Sequence, residues 1–388
     1  MREEVAIVGV GCTGFRSITS DLSYKELMFE AAVKAYEDAD VDPRRDVESF
    51  VCVSEDFWEG TSIFDEYVPD QIGAVLKPVC TISADGIYGL ITASMQILSG
   101  AVEIAVVEAH SKASDMLTPT DIVALALDPI FNRPLGGNPY FVAGLEMNRY
   151  MHETGSTKEQ CSMVVVKNKR NALENPYAAY GAKITINDVL NSEVMFQPLS
   201  RLDMSPHADG AIVAVLASGE KARRLTDTPI WIRGMGWCSD TPWLETRDWG
   251  NAIYAQLAAN MAYKTANIRT PRKEIDFVEI DDTFSYKELQ HLEALGLCKK
   301  GEAGVLVEEG ATERDGDMPV NASGGKIGVG YTFEAAGLQS VFEAVSQLRG
   351  EAGRRQVPNA ETGLAQCWRG IPTTSGAVVI LSNKRGSI

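Results

Sequence analysis

The chain has 388 residues, 45% hydrophobic and 23% charged, with a formal net charge of −17. That length allows two or three domain-sized units with large cores. The acidic balance excludes a nucleic-acid-binding protein, which needs a basic face, but not a small phosphate-bearing ligand held by a few local Lys or Arg residues. No apolar run reaches the roughly 18 residues that a membrane span needs, and the start, Met-Arg-Glu-Glu-Val-Ala-Ile-Val, runs into a strand without a signal-peptide h-region. A cytoplasmic protein off the membrane is expected. Seven scattered cysteines without a CxxC pair, and four histidines without a helix-borne pair, predict neither a metal site nor a disulfide framework.

Residues 5–11 read as a buried strand ending in glycine. Gly9, Gly11 and Gly14 spell GxGxxG, but no helix opens at once behind them and no ribose-binding acid follows, which argues against a dinucleotide fold. A helix is predicted from near Ser23 through Leu27, Ala31, Ala32 and Tyr36, then a buried strand at 50–53. Residues 54–76, with Trp58, Phe64 and Tyr67, read as a surface excursion or subunit contact. A short strand at 78–82 precedes a helix opened by Ser83-Ala-Asp-Gly. That helix carries Leu90, Ala93 and Ile97, is buried on most sides, and ends at Gly100. A strand follows at 103–108.

Residues 112–205 hold Pro, Gly and tyrosine clusters and read as an insertion covering a site. Ser205-Pro-His-Ala-Asp-Gly is a turn into a strand. Then the order recurs: a glycine-ended strand at 229–236, a helix at 252–266, a strand at 275–280, a glycine-rich loop at 321–330 leading into a helix at 334–348, and a strand at 377–381. Strand, helix, strand, buried helix, strand thus occurs twice. The halves are 1–111 with 206–228, and 229–388.

The loop Asn321-Ala-Ser-Gly-Gly-Lys-Ile-Gly-Val-Gly-Tyr331 is the most informative stretch. Its glycines permit sharp turns and close approach to a ligand. Tyr331 falls where the loop meets a helix, near free N–H groups and the positive end of the dipole, a place to stabilise a developing anion. A glycine-rich turn with a structural tyrosine is the plain alternative.

This duplicated α/β order resembles the thiolase superfamily, and the residues agree. Residues 279–304, with Glu-Ala-Leu-Gly-Leu-Cys and Gly-Glu-Ala-Gly, resemble the segment of sterol-carrier-protein-type thiolases that bears a His-Asp-Cys-Phe motif. Residues 321–337 are similar to the family's Asn-Pro-Ser-Gly-Gly…Gly-His loop, and Ser205-Pro…Asp209-Gly210-Ala211 to a third block. Gln347-Leu-Arg-Gly-Glu-Ala-Gly with Arg355-Gln-Val resembles the subgroup of thiolases and aldolases that pairs with a small OB-fold zinc-ribbon protein. A general likeness extends to thiolase subunits for benzoylsuccinyl-CoA. The resemblance implies a duplicated α-β-α-β-α fold of five layers, a homodimeric core, acyl-CoA as ligand, and coenzyme A as substrate with no tightly bound cofactor.

The catalytic positions depart from the family. Its nucleophilic Cys falls on Ser83, counted without gaps from Gly86 and Gly100. Its loop His falls on Tyr331, and the first position of His-Asp-Cys-Phe falls on Asp281. Its C-terminal acid/base Cys has a counterpart in Cys367. The resemblance makes Ser83, Asp281, Tyr331 and Cys367 the catalytic candidates, and Asn321, Gly325, Gly330 and Gly370 the substrate-binding ones. The plain alternatives are Ser83 as a helix cap, Cys367 as a buried small residue, Asp281–Asp282 as a turn pair, His110 and Lys112 as core, and Trp243, Trp249 and Trp368 as packing. Serine is a poor nucleophile without a strong base, and a phenol is a weak base at neutral pH. Three readings stand: thiolysis of a β-oxoacyl-CoA, with Ser83 acylated or CoA attacking directly; retro-aldol cleavage of a β-hydroxyacyl-CoA; and a non-catalytic subunit. Cys367 favours the first.

Overall fold

The computed structural model describes residues 4–55, 63–370 and 374–386; Trp58 lies outside them. The first half contributes β1 (Val5–Cys12), α1 (Tyr24–Ala39), β2 (Ser49–Val53), β3 (Val79–Ile82), α2 (Gly86–Leu98) and β4 (Ile104–Ser111). Two long helices of the intervening region follow, α3 (Pro139–Thr154) and α4 (Lys158–Ala172), before β5 (Gly210–Ser218). The second half holds β6 (Ile230–Ser239), α5 (Ile253–Ala266), β7 (Phe277–Glu279), α6 (Ser285–Ala294), α7 (Gly325–Val329), α8 (Ala336–Arg349), β8 (Thr362–Gly370) and β9 (Thr374–Ser382).

Strand order shows the duplication. The sheet runs β3-β2-β4-β5-β1-β6-β9-β8-β7. In the first half β2 is parallel to β3 and β4, while β5 is antiparallel to β4 and β1. In the second, β7 is parallel to β8, and β9 is antiparallel to β8 and β6. Val320 adds a parallel bridge to Val278, in the place that β3 takes beside β2. The halves join through a short antiparallel pairing, Ala6 with Trp231 and Ile7 with Ile230.

Equivalent close packing repeats in both halves. A Cβ on Gly9 would lie 2.5 Å from the Ala35 carbonyl oxygen, and Gly11 abuts the Ala31 carbonyl in the same way. Gly234 and Gly236 abut the carbonyls of Ala262 and Ala258 on α5. The apparent dinucleotide fingerprint is thus a strand that lets its covering helix come close. Helix α1 starts where its sequence says it should: Ser23 forms a capping box with Glu26, and Leu27, Met28, Ala31, Ala32, Ala35 and Tyr36 are buried at helical spacing.

Three cores separate five layers. One cluster joins α1 to the outer face of the first half. A second joins α2 and α8 to the inner faces of both halves. A third joins α3, α5 and α6 to the outer face of the second half. The layer order is α-β-α-β-α.

Several sequence expectations need correction. Strand β4 runs on to Ser111. Phe64, Val68 and Ile72 are buried against α1 rather than lying on the surface. The loop at 321–330 contains α7. Strand β8, which carries Cys367, was not foreseen. Helix α2 begins at Gly86, and its cap is Asp85, not Ser83.

Candidate active site

The buried helices α2 and α8 meet at their N-termini. Close approach needs residues without bulk: a Cβ on Gly86 would lie 2.7 Å from the Leu338 amide nitrogen, and one on Gly337 would overlap the Asp85 carboxylate. Asp85 closes the junction. Its Oδ1 accepts the Ile87 amide at 3.0 Å and its Oδ2 accepts the Gly337 amide at 3.0 Å. The Cys367 side chain, presented from β8, lies near this carboxyl and lowers it. Burial pushes the Asp85 carboxyl up to about 6 against the lowering effect of these donors and of Lys326. Burial and the neighbouring Asp85 charge push the Cys367 thiol well above the usual range.

A cavity of about 370 Å³ opens at this junction, within the size range of small-molecule sites. Its apolar wall includes Ile122, Val123, Pro139, Phe284, Phe333 and Trp368; its polar groups include Asp85, Tyr140, His207, Thr283, Tyr331 and Glu334. The intervening region contributes Thr120, Ile122, Val123, Leu125, Ala126, Pro139 and Tyr140 to the cavity wall. Behind Trp368 lies a buried Lys287–Glu146 ion pair at 2.8 Å, with Lys287 Nζ 4.1 Å from the indole centroid. That pair ties α6 to α3 and fixes the back wall.

Tyr331 is half-buried at the cavity wall. Its amide donates to the Pro206 carbonyl at 2.8 Å and its carbonyl accepts the Ala208 amide at 2.9 Å, which splices the glycine loop to the 205–209 turn. Burial raises its phenol well above the usual value, helped by the charges of Asp281, Glu334 and Asp85. The phenol therefore stays protonated at neutral pH and acts as a donor. His207 lies beside it, with ring centroids 6.0 Å apart, and burial lowers the imidazole so that it is neutral.

The structure gathers some of the predicted residues and separates others. Tyr331 and Gly370 line the cavity. Cys367 stands directly behind Asp85. Asp281 is buried next to this group, its charge acting on both Tyr331 and Cys367. Its Oδ1 accepts the Thr283 amide at 2.9 Å, and burial raises its carboxyl. Ser83 is exposed, outside the lining, with its Oγ 3.5 Å from the Ser54 carbonyl. Asn321 is fully buried behind the site, where it accepts the Ile280 amide at 2.9 Å and donates to Glu288 at 2.8 Å. Gly325 (φ +58) packs on Asp282, which accepts the amides that open α7. Gly330 (φ +119) packs on Ala208. These three shape the loop from behind the lining.

Sequence reasoning missed Asp85, His207 and Glu334 at the wall. It also missed a buried grouping on the outer face of the first half. Strand register sets Cys52 beside Glu108, and the ligand atoms of Cys52, Glu108 and His110 lie within 4.8 Å of one another, a set able to hold a metal ion. Cysteine and histidine spacing gives no hint of it. Cys52 Sγ donates to Glu108 at 3.1 Å and His110 Nδ1 lies 2.9 Å from Glu108, so the three also pair among themselves.

Residues 239–383 match the family described as thiolase C-terminal domain-like. An acetyl-CoA acetyltransferase of Methanothermobacter thermautotrophicus is 35% identical over 93% of this chain and 95% of its own. Sterol carrier protein 2 of Bos taurus is 30% identical over 100% of this chain and 73% of its own. The benzoylsuccinyl-CoA thiolase subunit BbsB of Thauera aromatica is 33% identical over 55% of each chain. Among solved structures, the Ltp2-ChsH2(DUF35) aldolase superposes with a TM-score of 0.84 at 26% identity, over 98% of this chain and 97% of its own. The chain belongs to the thiolase superfamily, in its sterol-carrier-protein-type subgroup, and is an acyltransferase of thiolase type.

Proposed function

We propose that the protein cleaves a β-oxoacyl-CoA by thiolysis. The thiol of coenzyme A gives up its proton as its sulfur adds to the β-carbonyl, the bond between the α- and β-carbons breaks, and its electron pair remains on the α-carbon as a thioester enolate until that proton is delivered to it. The products are a shortened acyl-CoA and a second acyl-CoA. The observation that supports this best is the meeting of Asp85 and Tyr331 at one largely apolar cavity, with Cys367 and Asp281 buried behind its wall. The Asp85–Cys367 pair supplies the proton transfer beside the α-carbon. Tyr331 O–H and the backbone N–H groups near Gly370 hold the enolate oxygen. The exposed position of Ser83 favours direct attack by coenzyme A over a seryl acyl-enzyme. Coenzyme A acts as a substrate, not a resident cofactor.

A retro-aldol reading has its own support. Tyr331 stands where thiolases carry His, and the likeness to the aldolase spans nearly the whole chain. That cleavage needs no acyl-enzyme, only a base for the β-hydroxyl and the same enolate site. Either reading includes a homodimeric core and a small OB-fold zinc-ribbon partner. The pairing named for the aldolase supports that partner, as do the exposed Leu117, Ile130, Phe131 and Leu135 on the segment that also lines the cavity.

Product analysis separates the two. The full chain, with its partner, is given a β-oxoacyl-CoA plus coenzyme A, and separately a β-hydroxyacyl-CoA. New acyl-CoA from the first supports thiolysis; an aldehyde or ketone from the second alone overturns it in favour of the aldolase.

A further inference from the structure

We propose that Asp85 is the base that exchanges a proton with the α-carbon of the bound acyl-CoA, and that Cys367 is a positioning residue acting through it. This rests on the enolate chemistry proposed above and changes which group performs it. Family resemblance points to the cysteine, but the cavity wall is formed by the carboxyl, with the thiol behind it.

The hydrogen-bond inventory supports this division. An ionised carboxylate has about four acceptor positions. Here the Ile87 and Gly337 amides take two. Two are left, on a group that lines the cavity. The two donors come from α2 and α8, so the carboxyl is fixed by elements of both halves of the chain. A base held this way meets the substrate without reorganising. The thiol has no such access. It is fully buried and does not line the cavity.

The step balances within the site. The α-C–H bond breaks, its proton passes to Asp85, and its electron pair moves into the thioester as an enolate whose oxygen accepts the Tyr331 O–H. In the cleavage direction the same proton returns from Asp85 to the α-carbon. The ionisable groups around the pair are Lys326, which favours the ionised carboxyl, Asp281, which opposes ionisation of the thiol, and the phenols of Tyr88 and Tyr331, whose ionisation the Asp85 charge disfavours. Lys326 is itself held by the Ala336 carbonyl at 2.6 Å and Ser340 Oγ at 2.8 Å.

The test uses α-proton exchange, which requires neither carbon–carbon cleavage nor a choice between thiolase and aldolase. The full chain is incubated with acetyl-CoA in D2O, and deuterium uptake is followed by mass spectrometry across pH. The wild type is expected to exchange, with a rising limb near pH 6. Asp85→Asn is expected to lower the rate at least 100-fold while retaining the wild-type circular dichroism. Cys367→Ala removes a polar neighbour that lowers the carboxyl, so its limb should move to higher pH, and Cys367→Ser, which keeps a polar group there, should bring it back. Exchange by Asp85→Asn at the wild-type rate overturns the proposal. If that variant does not fold, an unmoved limb in Cys367→Ala overturns it instead. No exchange by the wild type sinks the enolate reading itself, a different failure from a wild type that exchanges and an indifferent Asp85→Asn.

Discussion

Asp85 accepts the amides of Ile87 and Gly337, both at 3.0 Å, and so caps two helices from opposite halves of the chain with one carboxylate. The residues that pair across this junction are 252 positions apart in sequence. The contact joins fold and chemistry, because the group that ties the halves together also faces the cavity. Loss of a side-chain cap costs about 0.5–2 kcal/mol, so Asp85→Ala, which loses both, should destabilise by about 1–4 kcal/mol in urea unfolding. An unchanged midpoint contradicts the double cap.

The pH dependence of stability follows from the same group. Burial pushes its carboxyl up to about 6 in the folded chain, against about 3.9 when unfolded. The folded state therefore binds the proton more tightly. The contribution of Asp85 is fully present below the unfolded value and is lost as pH rises through about 6. Urea midpoints measured for wild type and Asp85→Asn from pH 4 to 7 should show a smaller decline in the variant. Parallel curves contradict the raised carboxyl.

Tyr331→Phe removes the donor aimed at the enolate and leaves the ring packed on Phe333, 5.0 Å away between centroids. Loss of a comparable oxyanion donor costs about 100- to 1,000-fold in kcat. The expected result is that fall with KM little changed. A change in KM alone would make Tyr331 a binding residue.

Gly330 sits at φ +119, where an added Cβ would lie 2.5 Å from that of Ala208. Gly330→Ala should destabilise the protein by about 1–3 kcal/mol and lower turnover by displacing Tyr331. Ser83→Ala is the counterpart: the side chain is exposed and outside the cavity lining, so turnover should stay within about twofold and stability within about 0.5 kcal/mol. A collapse of activity in Ser83→Ala would restore the seryl acyl-enzyme.

The contrast between Ser83 and Asp85 shows what the sequence made legible. Local rules worked where local physics decides. Ser23 and Glu26 announce α1, and the paired glycines of β1 and β6 announce the duplication. Gapless counting from Gly86 and Gly100 puts the family's nucleophile position on Ser83, whereas the cap of the helix is the residue just before it, Asp85. Strand β8 was missed because Thr-Gly-Leu-Ala-Gln-Cys-Trp-Arg-Gly has no alternation: Leu364, Gln366 and Trp368 are buried on one face and Ala365 and Cys367 on the other. His207 was missed because it lies in a turn, brought beside Tyr331 only by backbone bonds to Pro206 and Ala208. Asn321 and Gly325 carry a family pattern whose structural job, holding the loop from behind, cannot be told from ligand binding by letters alone.

The central claim is that coenzyme A cleaves a carbon–carbon bond next to a thioester. It is tested most directly by the stoichiometry of β-oxoacyl-CoA cleavage with and without free coenzyme A, read by mass spectrometry. The account predicts two acyl-CoA molecules for each β-oxoacyl-CoA and each coenzyme A consumed, and no cleavage when coenzyme A is omitted. Cleavage without coenzyme A, or no cleavage of β-oxoacyl-CoA alongside release of an aldehyde or ketone from a β-hydroxyacyl-CoA, would contradict it.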